Sequence, residues 1–126
     1  MRLEDLEVYQ QAMELGEKIW EIAINWNYFA KDTIGKQLVR AVDSVASNLS
    51  EGFGRFSYKE NRQFCFYARG SLYGTRTWLT KGNKRKLITD DAFISLENDI
   101  MALGKKMNAY IKSIGKKPKN QITNNQ

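Results

Sequence analysis

Thr89-Asp90-Asp91-Ala92-Phe93-Ile94-Ser95-Leu96-Glu97-Asn98-Asp99-Ile100-Met101-Ala102-Leu103-Gly104-Lys105-Lys106-Met107 decides the fold. Phe93, Leu96, Ile100, Leu103 and Met107 recur at alternating steps of three and four, which aligns them on one seam of a helix and on no face of a strand. Ile114 carries the seam one heptad further. The opening Thr-Asp-Asp offers a side-chain oxygen to the unpaired amides of a helix start and sets negative charge against the positive end of its dipole. A helix with one apolar seam must bury it against other elements, so the rest of the chain has to supply them.

It supplies three more helices. Upstream of a polar, basic loop at Gly82-Asn83-Lys84-Arg85-Lys86, the spacing of Phe64, Ala68, Ser71, Leu72, Thr75, Trp78 and Leu79 predicts a third helix. Ser57-Tyr58-Lys59-Glu60 matches the capping box that starts it, and Gly54-Arg55-Phe56 is the link before it. A second helix carries Ile34, Leu38, Ala41, Val42, Val45, Leu49 and Phe53 on one stripe, with Asp32 or Thr33 as its cap. The first is expected from Asp5 to Tyr28, with Leu6, Tyr9, Met13, Ile19, Ile22 and Trp26 facing inward. Short links between long amphipathic helices predict an all-α, antiparallel up-down-up-down four-helix bundle over residues 1–115. Residues 116–126, Lys-Lys-Pro-Lys-Asn-Gln-Ile-Thr-Asn-Asn-Gln, are too polar to build a core and are expected to form a basic, disordered tail.

Composition narrows the chemistry. The 126 residues suit one domain, and 20 Lys and Arg against 14 Asp and Glu leave a net charge of +6. There is no histidine and one cysteine, so no intrachain disulfide, no usual zinc set and no Ser-His or Cys-His pair can form. The expectation is a protein without cofactor, metal or enzymatic activity. Glu4, Asp5 and Glu7 oppose a secretory signal, and no apolar run approaches the ~18 residues of a membrane span, so a cytoplasmic location without membrane is expected. Residues 1–30 hold two bases and six acids, whereas residues 31–86 hold twelve and four. The second and third helices therefore carry the positive field, with the tail as a second basic element.

At ~100° per residue, Tyr58, Arg62, Phe66, Arg69, Tyr73 and Arg76 share a second face of the third helix. Arginine alternating with aromatics suits a subunit interface, where both are favoured anchors, or a surface that pairs with phosphates and stacks on bases; a solvated face is the plain alternative. Gly16, Gly52, Gly70, Gly74 and Gly104 fall inside helices at a cost of ~1 kcal/mol each relative to alanine, which points to close approach of another helix. Ser44, Asn48, Glu51 and Arg55 form a polar stripe on the second helix; Ser44, Asn48 and Glu51 are assigned to buried polar pairing between helices or subunits. Cys65, between two phenylalanines, reads as an inert buried thiol. Arg55, Lys59, Lys84, Arg85 and Lys86, at the junctions flanking the third helix, are the candidates for nucleic-acid binding, with Arg62, Arg69 and Arg76 expected to be partly used by neighbouring subunits.

Three motifs occur in order: Asp5-Leu6-Glu7-Val8-Tyr9-Gln10-Gln11-Ala12, Ser47-Asn48-Leu49-Ser50-Glu51-Gly52-Phe53-Gly54-Arg55 and Ala68-Arg69-Gly70-Ser71-Leu72. Together they resemble the bacterial four-helix-bundle family of 23S rRNA intervening-sequence proteins, over about residues 3 to 111. Two departures are visible: Ala46 stands where the family usually has proline, and Ser50 replaces a common alanine. The resemblance implies a ring-shaped homopentamer of antiparallel bundles. It also implies kinship with accessory proteins of diversity-generating retroelements, which bind nucleic acid and a reverse transcriptase. It carries over no catalytic residue. The expected function is that of a non-enzymatic, oligomeric RNA- or DNA-binding protein, an accessory to rRNA or to a reverse transcriptase; the alternative is a scaffolding homo-oligomer that binds a protein partner.

Overall fold

The computed structural model describes residues 1–116 and is all-helical, with four long helices and no strand among those residues. A short 3-10 turn, Leu3–Asp5, leads into α1, Glu7–Ala23. A one-turn segment, Tyr28–Ala30, and a wider π-helical stretch, Lys31–Gly35, run directly into α2, Lys36–Phe53. Helix α3 spans Tyr58–Lys84 and α4 spans Asp90–Ser113. The principal packing partners are α1 with α2, α2 with α3, α3 with α4, and α4 with α1, so the four helices close a square around one core. The expected tail lies outside the described residues beyond Lys116.

The seam of α4 is buried as its spacing requires: Leu96, Ile100, Leu103, Met107, Ile111 and Ile114 line the core, with Phe93 packed against it. Both later caps form. The Ser57 hydroxyl accepts the Glu60 amide at 3.1 Å, and the Thr89 hydroxyl accepts the Ala92 amide at 3.2 Å. Each satisfies one of the amides that a helix start leaves unpaired, an effect of ~1 kcal/mol.

The first half departs from the expected boundaries. Helix α1 stops at Ala23, because Asn27 takes an extended conformation and its side chain accepts the Ala30 amide at 3.0 Å, capping a new helix. Asn27 is therefore the cap, and Asp32 and Thr33 lie inside the helical run. There Asp32 pairs with Lys36 at 3.4 Å, and the Thr33 hydroxyl donates to the Phe29 carbonyl at 2.7 Å. The inward stripe of α1 is Val8, Ala12, Leu15, Ile19 and Ala23, while Met13 is exposed. Trp26 is buried in the link after α1, and its indole N–H donates to the Leu87 carbonyl at 3.0 Å.

The expected loop at residues 82–86 starts later. Gly82, Asn83 and Lys84 are helical, and Gly82 is buried because Ile88 and Trp26 pack onto it. The turn proper begins at Arg85, with Lys86 in the left-handed region at φ 61. The Leu87 amide returns to the Gly82 carbonyl at 2.9 Å, and the Asn83 side chain donates to the Ile88 carbonyl at 3.1 Å and to Asp90 at 2.8 Å.

Candidate nucleic-acid interface

The two junctions of α3 lie at opposite ends of a 27-residue helix, about 40 Å apart at 1.5 Å per residue. Lys84, Arg85 and Lys86 are exposed at one end, with Lys81 one turn before. None of the four has an acid within ion-pairing distance among the described residues. Lys81 and Lys84 also complement the negative end of the α3 dipole. The Trp26–Leu87 bond brings the start of the second helical run to this same end, where Tyr28 and Phe29 are 78% and 76% exposed. The result is a group of cations without acid partners among the described residues, with two exposed aromatic rings at the same end of the bundle, a combination that suits phosphates and stacked bases.

The other junction is differently occupied. Arg55 pairs with Glu51 at 2.7 Å and lies over the Phe64 ring, 4.7 Å from its centroid. Its guanidinium is committed locally, so of the two candidates here only Lys59 is exposed without an acid partner among the described residues. Phe56 is fully exposed in the link.

The second face of α3 turns out to tie α3 to α4. The Arg62 guanidinium donates to the Ile114 carbonyl at 3.2 Å. Arg69 donates to Asn108 at 3.1 Å and lies 5.0 Å over the Phe66 ring, and Arg76 meets Glu97 at 3.2 Å. These three arginines find partners inside their own chain, where they had been expected to serve neighbouring subunits in part. Tyr58, Phe66 and Tyr73 between them remain exposed.

Ser44, Asn48 and Glu51 are satisfied along α2 itself, and among the described residues none of the three pairs with another helix. Ser44 donates to the Arg40 carbonyl at 2.7 Å and Asn48 to the Ser44 carbonyl at 2.8 Å. Glu51 faces Arg55 one turn on, with its side chain 55% exposed, so it is no buried group. Residues four apart are helix neighbours, which makes these closures available without help from elsewhere. Cys65 is fully buried, and burial pushes its thiol up to about 11, which leaves it protonated and unreactive near neutral pH. Among the described residues no group of three or more His, Cys, Asp or Glu is placed to hold a metal, and no helix is long and apolar enough to cross a membrane.

The sequence reading missed Tyr28, which it placed at the end of the first helix, Phe29 just beyond it, Trp20 on α1 and Ile24 just after α1, all four of them exposed. The two asparagines in Asn25-Trp26-Asn27 were the available signal, since asparagine favours caps over helix interiors.

A family model described as 23S rRNA-intervening sequence protein matches residues 4–109, which includes both junctions of α3. The chain belongs to that family. No curated protein is similar in sequence. A crystal structure of a protein of unknown function of the S23 ribosomal protein family from Bacteroides thetaiotaomicron has the same fold, with a TM-score of 0.75 and 21% identity over 83% of this chain and 98% of that chain. For this member of the 23S rRNA-intervening sequence family, Ala46 is buried inside an unbroken α2. A proline there would remove an amide from the helix interior, so alanine keeps α2 regular through the motif. Ser50 donates to the Ser47 carbonyl at 3.0 Å and leaves the neighbouring Glu51–Arg55 pair untouched.

Proposed function

We propose that this protein is a non-enzymatic, homo-oligomeric nucleic-acid-binding protein. Its subunit is an antiparallel up-down-up-down four-helix bundle, assembled as a ring of five copies as the resemblance implies, and it acts as an accessory to rRNA or to a reverse transcriptase. The observation that carries the binding is the group of Lys81, Lys84, Arg85 and Lys86, without acid partners among the described residues. Antiparallel order draws support from the pairs Arg62–Ile114, Arg69–Asn108 and Arg76–Glu97, whose numbers rise on α3 as they fall on α4. The ion pairs Glu7–Lys106 and Lys18–Asp99 relate α1 to α4 in the same sense.

Cations without acid partners attract the polyphosphate backbone and release its counterions on contact, which needs no base sequence and no catalytic group. The test is fluorescence anisotropy with labelled single-stranded RNA, duplex RNA and single-stranded DNA over a salt series. The expected result is binding whose logarithm falls linearly with the logarithm of salt, by about 0.7–0.9 per phosphate contact. Absence of binding at low salt would favour the second reading, a scaffold for a protein partner. That reading draws on the exposed Phe66, Tyr73 and Met101, which are anchors of the kind found at protein interfaces.

A further inference from the structure

We propose that the groove between the end of α1 and the start of α2 seats one unpaired base of a single-stranded nucleic acid, while the cations around it hold the flanking phosphates. The inference rests on the nucleic-acid reading of the preceding section and names the form of nucleic acid that reading applies to. The groove has a volume of about 250 Å³, and Trp20, Ile24 and Val39 supply apolar walls. Trp20 and Ile24 are 47% and 46% exposed, so both present apolar surface to solvent. The volume falls below the roughly 300–1,000 Å³ of pockets that bury a drug-sized ligand and suits a single planar ring.

The rim is cationic. Lys31, Lys36 and Arg40 line the same groove, and among the described residues no acid does. Lys36 meets Asp32 at 3.4 Å, whereas Lys31 and Arg40 have no acid within ion-pairing distance among the described residues. The helix is wound so that the three come together. In a regular α-helix the steps from Lys31 to Lys36 would turn about 500°, which would leave the two side chains about 140° apart. Here the Lys36 amide donates to the Lys31 carbonyl, an i→i+5 bond that widens the turn and sets one residue above the other. Arg40 follows one α-helical turn on.

A protein side chain entering the groove would satisfy its apolar walls and leave these charges without partners. A nucleotide answers both, because its base has a π-face and the phosphates on either side are anions. The next groove along the same two helices is bordered by Glu17 and Asp43, which limits an anionic track in that direction. In the other direction the groove adjoins the α3–α4 turn. A Cβ added to Gly35, which lines the groove, would stand 3.4 Å from the Trp26 ring. The far edge of that ring packs onto Gly82, and its N–H donates to the Leu87 carbonyl at 3.0 Å. One buried indole therefore separates the groove from the turn that carries Arg85 and Lys86. A duplex cannot make this contact, because its bases are paired and stacked on one another. Apolar walls also offer no hydrogen-bond pattern to a base edge, so the groove distinguishes strandedness and not sequence.

Fluorescence anisotropy with oligothymidylate, an abasic strand of the same length and a duplex tests this. Trp20→Ala should weaken oligothymidylate binding about 5- to 150-fold, the range for one stacked base, at an unchanged salt slope. Its affinity for the duplex and for the abasic strand should stay at the parent value. Lys31→Gln with Arg40→Gln should instead flatten the logarithmic salt slope by about 1.4, two single-strand contacts at about 0.7 each. Oligothymidylate should also quench the parent's tryptophan fluorescence, and the abasic strand should not, since Trp26 is buried, Trp78 is partly buried and Trp20 is the exposed indole. A parent that binds none of the three at low salt overturns the nucleic-acid reading and this inference together. A parent that binds but is not quenched leaves that reading standing and overturns the base site. So does a Trp20→Ala variant that keeps its oligothymidylate affinity, or loses affinity for the duplex to the same extent. A Trp20→Ala variant that sediments at lower mass than the parent makes the groove a contact between subunits and overturns the proposal too. Should Trp20→Ala lose its helical circular dichroism, Ile24→Glu makes the same test from another wall, and undiminished oligothymidylate binding by that variant overturns the proposal.

Discussion

The two ends of α3 carry similar charge on paper and different charge in space. At the α2–α3 link, Arg55 is held by Glu51 and by the face of Phe64. At the α3–α4 turn, Lys84, Arg85 and Lys86 follow Lys81 with no acid among the described residues to hold any of them. The packing differs in the same way. At the link, Gly52 lets α2 approach α3 so closely that an added Cβ would stand 2.9 Å from the Asn61 carbonyl oxygen. At the turn, Gly82 is covered by the end of the flexible Ile88 side chain. One end is a tight structural corner that consumes its own arginine, and the other is a looser cap that leaves its cations available. A count of basic residues alone would treat them as equals.

The largest expected effect is on binding, and it should be one-sided. Replacing Lys84, Arg85 and Lys86 together with glutamine should flatten the logarithmic salt slope by about 2 to 2.7, three contacts at about 0.7–0.9 each. Replacing Arg55 and Lys59 should change it by no more than about one contact, because Arg55 is already paired. Equal losses at both ends would break the comparison. Unchanged slopes in both variants would favour the scaffolding reading.

The second contrast concerns the corners themselves. Gly52→Ala forces a Cβ to within 2.7 Å of the Asn61 side-chain oxygen, 2.9 Å of its carbonyl oxygen and 3.0 Å of the Phe64 Cβ. The side chain can rotate away but the backbone cannot, so overpacking of about 1–3 kcal/mol should outweigh much of the ~1 kcal/mol that alanine gains in helix propensity. Gly82→Ala meets the Ile88 Cδ1 at 2.8 Å, the far end of a side chain that can move. Its net effect should lie within about 1 kcal/mol of zero, since propensity and crowding oppose each other. Urea unfolding midpoints of the two variants would check this, and a Gly82 variant weaker than the Gly52 variant would reverse the assignment of the rigid corner.

Much of the fold was legible because it is periodic. The α4 seam, the Ser57 and Thr89 caps and the stripes of α2 and α3 are local patterns, each enforced by helix geometry. Helix α1 was harder because it is apolar on more than one side. Val8, Ala12, Leu15, Ile19 and Ala23 make the true inward stripe, yet Met13 and Trp26 look more hydrophobic to a reader weighing residue types. The surplus apolar side chains, Met13, Trp20 and Ile24, are those left exposed. The fate of the arginines was not legible at all. Arg69 reaches Asn108, 39 residues away, and Arg76 reaches Glu97, 21 residues away, and no spacing rule announces such pairs. The charge of a segment is visible in sequence, but which charges are spent inside the subunit is decided by packing.

The smallest effect bears on the corner that consumes its arginine. Read as a buried partner, Glu51 would cost 1–3 kcal/mol when removed, roughly the desolvation penalty of the group left behind. The structure puts its carboxylate on the surface, 55% exposed, in an i,i+4 pair with an arginine that retains a second support in the Phe64 ring. Pairs of that kind contribute about 0.3–0.5 kcal/mol and are screened by salt. Glu51→Ala should therefore lower stability by less than about 0.5 kcal/mol, with the difference shrinking as salt is raised. Freeing Arg55 should also add up to one phosphate contact to the salt slope at this end, in the direction opposite to the Arg55 and Lys59 replacement. A midpoint shift worth more than 1 kcal/mol (roughly twice the upper value for an exposed pair), measured at dilutions where only single subunits exist, would place Glu51 in a buried contact after all. The corner would then owe its rigidity to that carboxylate as well as to Gly52.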